Sequence, residues 1–186
     1  MSKKSVKEKI ISAASELFYF EGYNQIEINN IIDKANVSRE SLYNNFCSKE
    51  EIGVAYLETR QQSLMNEINK SLSIYNSGYE KVIALFDFLT TWLCETDYRG
   101  CGFQNIISEI PDDHNLIKKT VRNAKNELHQ FVCKQLKFNI KSKKVASDYS
   151  NQIIVLLEGA IILAQIQKDT WPIIAAKKAC EKVLEI

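Results

Sequence analysis

Residues 26–51, IEINNIIDKANVSRESLYNNFCSKEE, constrain this chain more than any other stretch. Ile28, Ile31, Ile32 and Ala35 fall at the i, i+3, i+4, i+7 spacing of one buried helical face. Asn36, Val37 and Ser38 interrupt that pattern. Asn tolerates the left-handed backbone just past a helix end, and Ser38 suits the N-cap of a following helix. A second short helix over residues 39–45 buries Leu42 and Phe46. At about 100° per residue, those two inward positions turn Glu40, Ser41, Tyr43 and Asn44 outward. One apolar edge and one hydrogen-bonding face is the pattern of a recognition helix. Periodicity alone allows a second arrangement, an αα-hairpin inside an all-helical core.

The remaining composition favours helices throughout. Only 6 Gly and 2 Pro occur in 186 residues, too few for a chain rich in β-turns. The length suffices for one or two compact domains. The formal net charge of +1 does not by itself mark a nucleic-acid binder. No charged-then-apolar leader opens the chain, and residues 153–166, the longest apolar candidate, carry Glu158 and Gln165 and fall short of a membrane span. The five cysteines (47, 94, 101, 133 and 180) are odd in number and lack C-x-x-C spacing, which fits a reducing cytoplasm. His114 and His129 stand in no Ser-His-Asp or metal-ligand pattern. Neither an enzyme, a metal, a cofactor nor a membrane is therefore expected.

Taken in order, the chain opens on Lys3, Lys4, Lys7 and Lys9, an arm able to reach phosphates or simply to stay solvated. Val6, Ile10, Ala13, Ala14, Leu17 and Phe18 trace a first helical stripe that Gly22 ends. Three helices then make a head of about 45 residues, small enough to need support from a larger body. Ser48 and Glu51 form a capping box for a fourth helix reaching about Leu72. At ~1.5 Å per residue it exceeds 30 Å and links the head to that body. Helices follow over residues 79–95, 103–110 and 115–138, the last with a basic back (Lys118, Lys119, Arg122, Lys125, Lys134) read as solvated surface. Residues 145–167 are apolar nearly all round and must be covered on two sides. With the final helix, 171–184, they argue for a homodimer through a helix bundle, against the alternative of a buried central helix in a monomer.

The ordered set Phe18, Gly22, Tyr23, Ile31, Val37, Ser38, Ser41, Leu42, Tyr43, Phe46, Ser48, Lys49 and Glu50 strongly resembles the TetR family of bacterial transcriptional regulators. The resemblance covers roughly residues 5–52; GCGF, E-x-P-D-D-H and L-L-E-G-A-I-I-L-A look like one branch of the family's regulatory domains. It implies an all-α fold of about nine helices, with a helix-turn-helix DNA-binding domain over residues 1–48 and a ligand-sensing and dimerisation domain over 49–186. It further implies a homodimeric repressor, released from operator DNA by a small apolar or aromatic inducer. The DNA-binding residues it suggests are Lys4, Ser38, Arg39, Glu40, Ser41, Tyr43, Asn44 and Lys49. Four positions depart from the family pattern. Ile26 replaces a capping Thr, Asn36 a Gly, Glu40 a small residue and Asn44 a His. Either Glu27 or Asn24 is left to cap the second helix. Glu40 is unfavourable near phosphates, yet a carboxylate can accept from cytosine N4 at a base edge.

Residues 1–60 hold eight cationic side chains against nine carboxylates. Such a head cannot draw DNA by bulk charge and must rely on a few well-placed cations and neutral donors. For the effector, Phe88, Trp92, Phe103, Ile107 and Phe131 are apolar candidates, with Gln104 and His129 to orient it. Cys101, after Arg99 in a Gly-flanked loop, is a candidate exposed thiolate for a redox or electrophile sensor. A helical interaction module that no longer reads DNA is the third reading.

Overall fold

The computed structural model describes residues 4–76 and 78–185. Among the described residues it is all helical: α1 Val6–Phe20, α2 Ile28–Ala35, α3 Arg39–Tyr43, α4 Lys49–Ser71 with a 3-10 turn Leu72–Ile74, α5 Gly78–Glu95, α6 Gly102–Glu109, α7 Asn115–Leu136, α8 Lys143–Gln167 and α9 Trp171–Leu184. The helix ends follow local chemistry. Ser5 and Glu8 close a reciprocal capping box on α1, with Glu8 accepting from Ser5 N at 2.7 Å and Ser5 Oγ from Glu8 N at 3.2 Å. The Ser5 backbone N–H, and after it the Ser5 side chain, hold the Glu8 carboxyl below its ordinary range. At α4, Ser48 Oγ accepts from Glu51 N at 3.1 Å, while Glu51 reaches one residue beyond the expected position, to Cys47 N at 2.7 Å. Asp169, rather than Thr170, supplies the side-chain acceptor at the start of α9, taking Trp171 N at 3.1 Å.

The described residues fall into two compact units. The first combines the described residues up to 63 with 102–124; the second combines 64–101 with the described residues from 125 onward. In the first unit, α1, α2 and α3 pack around Ile10, Ala14, Leu17, Ile31 and Leu42. Tyr23 extends that core: its ring lies 4.9 Å from Phe18 and 5.7 Å edge-on to His114. The support that a 45-residue head needs comes from α6 and the start of α7. Asn24 N donates to Glu109 at 3.2 Å and its side-chain amide to the Glu109 carbonyl, while Glu50 Oε1 accepts from Leu116 N at 2.8 Å at the start of α7.

The second unit is built from α5, α8 and α9 with the later part of α7. Its core holds Val82, Leu85, Phe86, Leu93, Val132, Leu136, Ile153, Leu157, Ala164, Ile173 and Cys180. Burial pushes the Cys180 thiol up to about 12, so it behaves as a small apolar side chain. Gly78 lets the start of α5 meet α7; a Cβ there would stand 1.9 Å from the Gln135 carbonyl oxygen. Residues 153–166 belong to a 25-residue helix, long and apolar enough to cross a membrane by length and composition. Its Glu158 is nonetheless paired with Lys125, so it is not apolar all round.

That pair corrects the expectation that Lys125 belongs to a solvated basic back. Lys125 Nζ lies 2.7 Å from both Glu158 oxygens and 3.4 Å from Cys101 Sγ, in a partly buried position. Burial alone would pull its ammonium down, but Cys101 and Glu158 carry it above its ordinary value of 10.5. A lysine pKa raised by folding contributes stability that is complete below the ordinary value and lost as pH rises through the folded one. Lys125→Met, which takes this cation away from a partly buried Glu158, is expected to cost about 2 kcal/mol in urea unfolding, and Lys125→Met/Glu158→Met to recover most of it. The double variant should also lose less stability than the native chain at strongly alkaline pH.

Candidate nucleic-acid interface

The turn between α2 and α3 adopts the geometry its sequence dictates. Asn36 takes the left-handed conformation, φ 50° and ψ 55°, and its N–H returns to the last carbonyls of α2. Glu27 stands at the N-cap of α2, its N–H donating to Asn30 Oδ1 at 2.7 Å, so Ile26 is free to be buried instead. Ser38 caps α3: its Oγ accepts from Ser41 N at 3.0 Å and shares a 2.8 Å hydrogen bond with the Ser41 hydroxyl. The helix ends at Tyr43, two residues earlier than periodicity suggests, and Asn45 donates back to the Ser41 carbonyl at 2.8 Å.

Leu42 and Phe46 are buried, and Arg39, Glu40, Tyr43 and Asn44 are exposed, with Ser41 half-buried. One short helix therefore presents a cation, an anion, a phenol and an amide from a rigid base. Four cations of this unit lie over aromatic faces. Arg39 lies over Tyr43 and Lys7 over Phe46, each at 5.7 Å; Lys49 lies over Tyr23 at 4.4 Å and Arg60 over Tyr19 at 3.8 Å. A π face orients a cation without cancelling its charge. Lys34 differs, being paired with Glu16. Burial holds the Lys49 ammonium below the usual lysine range, against the opposing pull of Glu109 and Glu27. Lys4 Nζ donates to Ser12 at 3.4 Å, and Lys3 lies outside the described residues.

Residues 10–56 match the bacterial regulatory proteins of the tetR family, and residues 79–179 match the LmrA/YxaF-like transcriptional regulator C-terminal domain. The chain belongs to the TetR family. It is similar to the HTH-type transcriptional regulator LmrA of Bacillus subtilis, 23% identical over 176 residues and 94% of both chains. IcaR of Staphylococcus aureus, a negative transcriptional regulator of the biofilm operon icaADBC, is 26% identical over 157 residues, covering 82% of this chain and 81% of IcaR. The crystal structure of SCO4454, a TetR-family regulator from Streptomyces coelicolor, superposes with a TM-score of 0.87 at 20% identity, covering 99% of this chain and 90% of the other. These relatives are transcriptional regulators, not enzymes, and TetR regulators bind operator DNA and typically act as dimers.

The seven effector candidates divide between the two units. Phe103, Gln104 and Ile107 lie on α6 in the first, Phe103 in its core and Ile107 exposed. Phe88, Trp92, His129 and Phe131 lie in the second, where Phe88 and Trp92 line a 660 Å³ cavity. An adjoining 440 Å³ cavity, lined by Tyr79, Ile83 and Glu181 among others, was not anticipated from the sequence. Its one sequence signal is that Tyr79, Ile83 and Asp87 share an i, i+4, i+8 face of α5.

Cys101 does not have the exposure expected of it. It is 6% exposed, and the cation beside it is Lys125, because α7 passes this glycine-flanked loop. Cys94 is the exposed thiol of the two, 3.4 Å from the Tyr98 hydroxyl. Among the described residues no group of three or more His, Cys, Asp or Glu is placed to hold a metal ion.

The left-handed turn residue provides a direct test. Asn36→Ala is expected to lower stability by about 1 kcal/mol, because a Cβ with no compensating side-chain polarity is held at positive φ. Asn36→Gly should be neutral or better, and thermal unfolding of the intact chain distinguishes the two.

Proposed function

We propose that this regulator is a homodimeric repressor, released from its operator by a small apolar or aromatic molecule bound in its C-terminal half. The reading rests on the exposed polar face of α3, seated on buried Leu42 and Phe46. In it, residues 1–48 read DNA and 49–186 sense and dimerise. Arg39, Glu40, Ser41, Tyr43 and Asn44 face base edges and phosphates, while Lys4, Lys49 and the Ser38 cap contact or order the backbone. Glu40 sets operator choice by accepting from cytosine. Repression is supported by the similarity to IcaR, described as a negative regulator. The protein then acts in the bacterial cytoplasm, where its DNA is.

Dimerisation is supported by α8 and α9. Val155 is 71% exposed and Ile166 67%, and Ile162, Leu163, Trp171 and Ile174 are also exposed. Apolar surface this concentrated is costly in water and suits a self-complementary interface. A Cβ on Gly159 would meet nothing within 4 Å beyond its own stretch of helix, so this part of α8 has room for a partner helix. An effector need only bind the DNA-free form better than the bound form. His129 supports an orienting role, since its Nε2 is buried without a hydrogen-bond partner among the described residues.

A thiol-sensing reading keeps one supporting observation, the 3.4 Å approach of Lys125 Nζ to Cys101 Sγ. It predicts that Cys101→Ser abolishes release of DNA by an electrophile while Cys94→Ser preserves it.

Gel shift on the DNA upstream of the protein's own coding region tests the main reading; no specific shift would leave the helical interaction module. The log–log salt dependence should be shallower than about −8, since each phosphate contact contributes about −0.9. Glu40→Ala should change which operator is preferred rather than raise affinity uniformly. Val155→Glu/Ile166→Glu should sediment as a monomer and lose operator binding.

A further inference from the structure

The two cavities of the second unit adjoin, both being lined by Tyr75, Ala84 and Asp87. Side by side they make a groove along α5, lined also by the end of α4 and by Glu181 of α9. Phe88 and Trp92 supply aromatic surface in the cavity beside α4, Tyr79 in the one beside Glu181, and Tyr75 in both. Carboxylates border it: Glu67 from α4, Glu80, Asp87 and Glu95 from α5, and Glu181 from α9. Lys70 is the one basic residue among the lining positions, and Lys177 holds Asp87 at 2.7 and 2.8 Å. The groove thus keeps an excess of negative charge after its ion pair is counted.

We propose that this groove binds hydrophobic organic cations. A neutral aromatic molecule would use the rings and leave the carboxylates idle. A small hydrated metal ion would use the carboxylates and gain nothing from the rings. A delocalised or quaternary cation satisfies both, with its apolar groups on Phe88 and Trp92 and its charge attracted by ring faces and carboxylates together. Each of the two cavities by itself falls in the range of small-molecule sites. The inference rests on the second unit being the sensing half of the regulator, and narrows the effector from aromatic to cationic and aromatic.

Tetraphenylphosphonium, titrated into the intact protein by calorimetry, tests it, with neutral triphenylphosphine oxide as the control. Glu67 and Glu95 are exposed, so Glu67→Gln/Glu95→Gln leaves the packing in place. The cation should bind in the micromolar range and the neutral control at least about tenfold more weakly. The double variant should lose about tenfold for the cation alone. Thr91→Arg, which places a positive charge on the groove wall, should weaken the cation independently of that variant. Equal binding of cation and neutral control overturns the proposal, as does unchanged affinity in the variants, or no binding of the cation at millimolar concentration. A parallel gel shift separates the two readings. Cation binding with the expected charge dependence but no effect on the DNA complex keeps the site and removes its role in release. Release of DNA by the cation that is indifferent to Glu67, Glu95 and Thr91 keeps a sensing half and overturns this groove.

Discussion

The structure of the DNA-reading unit depends on burying Leu42 and Phe46. A five-residue helix has no stability of its own, since forming one turn fixes several residues for very few hydrogen bonds. α3 exists because Leu42 is wholly buried against the first unit and Phe46 nearly so. The Ser38 cap and the left-handed Asn36 then determine the angle at which the chain enters it. Everything the outward face offers is positioned by that inward pair. The unit in turn leans on Glu109 and Glu50, which tie the three-helix head to α6 and α7 by hydrogen bonds to backbone donors.

Charge explains why aromatic residues are so prominent around the reader. With eight cations against nine carboxylates in residues 1–60, pairing each cation with an acid would leave nothing for phosphates. Lys7, Arg39, Lys49 and Arg60 are instead oriented by rings. Such contacts restrict the side chain while its field remains available. Lys34, paired with Glu16, shows the alternative. In the second unit the opposite logic holds: Lys125 is drawn into a partly buried pair with Glu158, where breaking the pair costs more than the pair itself contributes.

Much of this was legible in advance because local chemistry decided it. Helical spacing, Ser38, Asn36, Ser48 and Gly22 place α1 to α4 within a few residues, and the ordered residues from Phe18 to Glu50 suffice for the family. The apolar residues of α8 also read directly as surface in need of a second cover. What local pattern misjudged were positions whose environment comes from distant sequence. Lys125 looked solvated because the one acid of its own helix, Glu127, stands two residues away and so on another face, whereas Glu158 lies thirty-three residues on. Cys101 looked exposed because its neighbours are glycines, although it is buried next to α7.

By itself, then, the sequence determined the helices, the turn of the reading unit and the family, all of which follow from contacts within a few residues. The tertiary structure alone decided how those helices are grouped. It put residues 102–124 with the head, although more than fifty residues separate them in the chain. It also brought Glu67, Glu95 and Glu181 from three helices to the border of one aromatic groove. No periodicity encodes such a grouping, because it arises from which apolar faces find each other when the chain collapses.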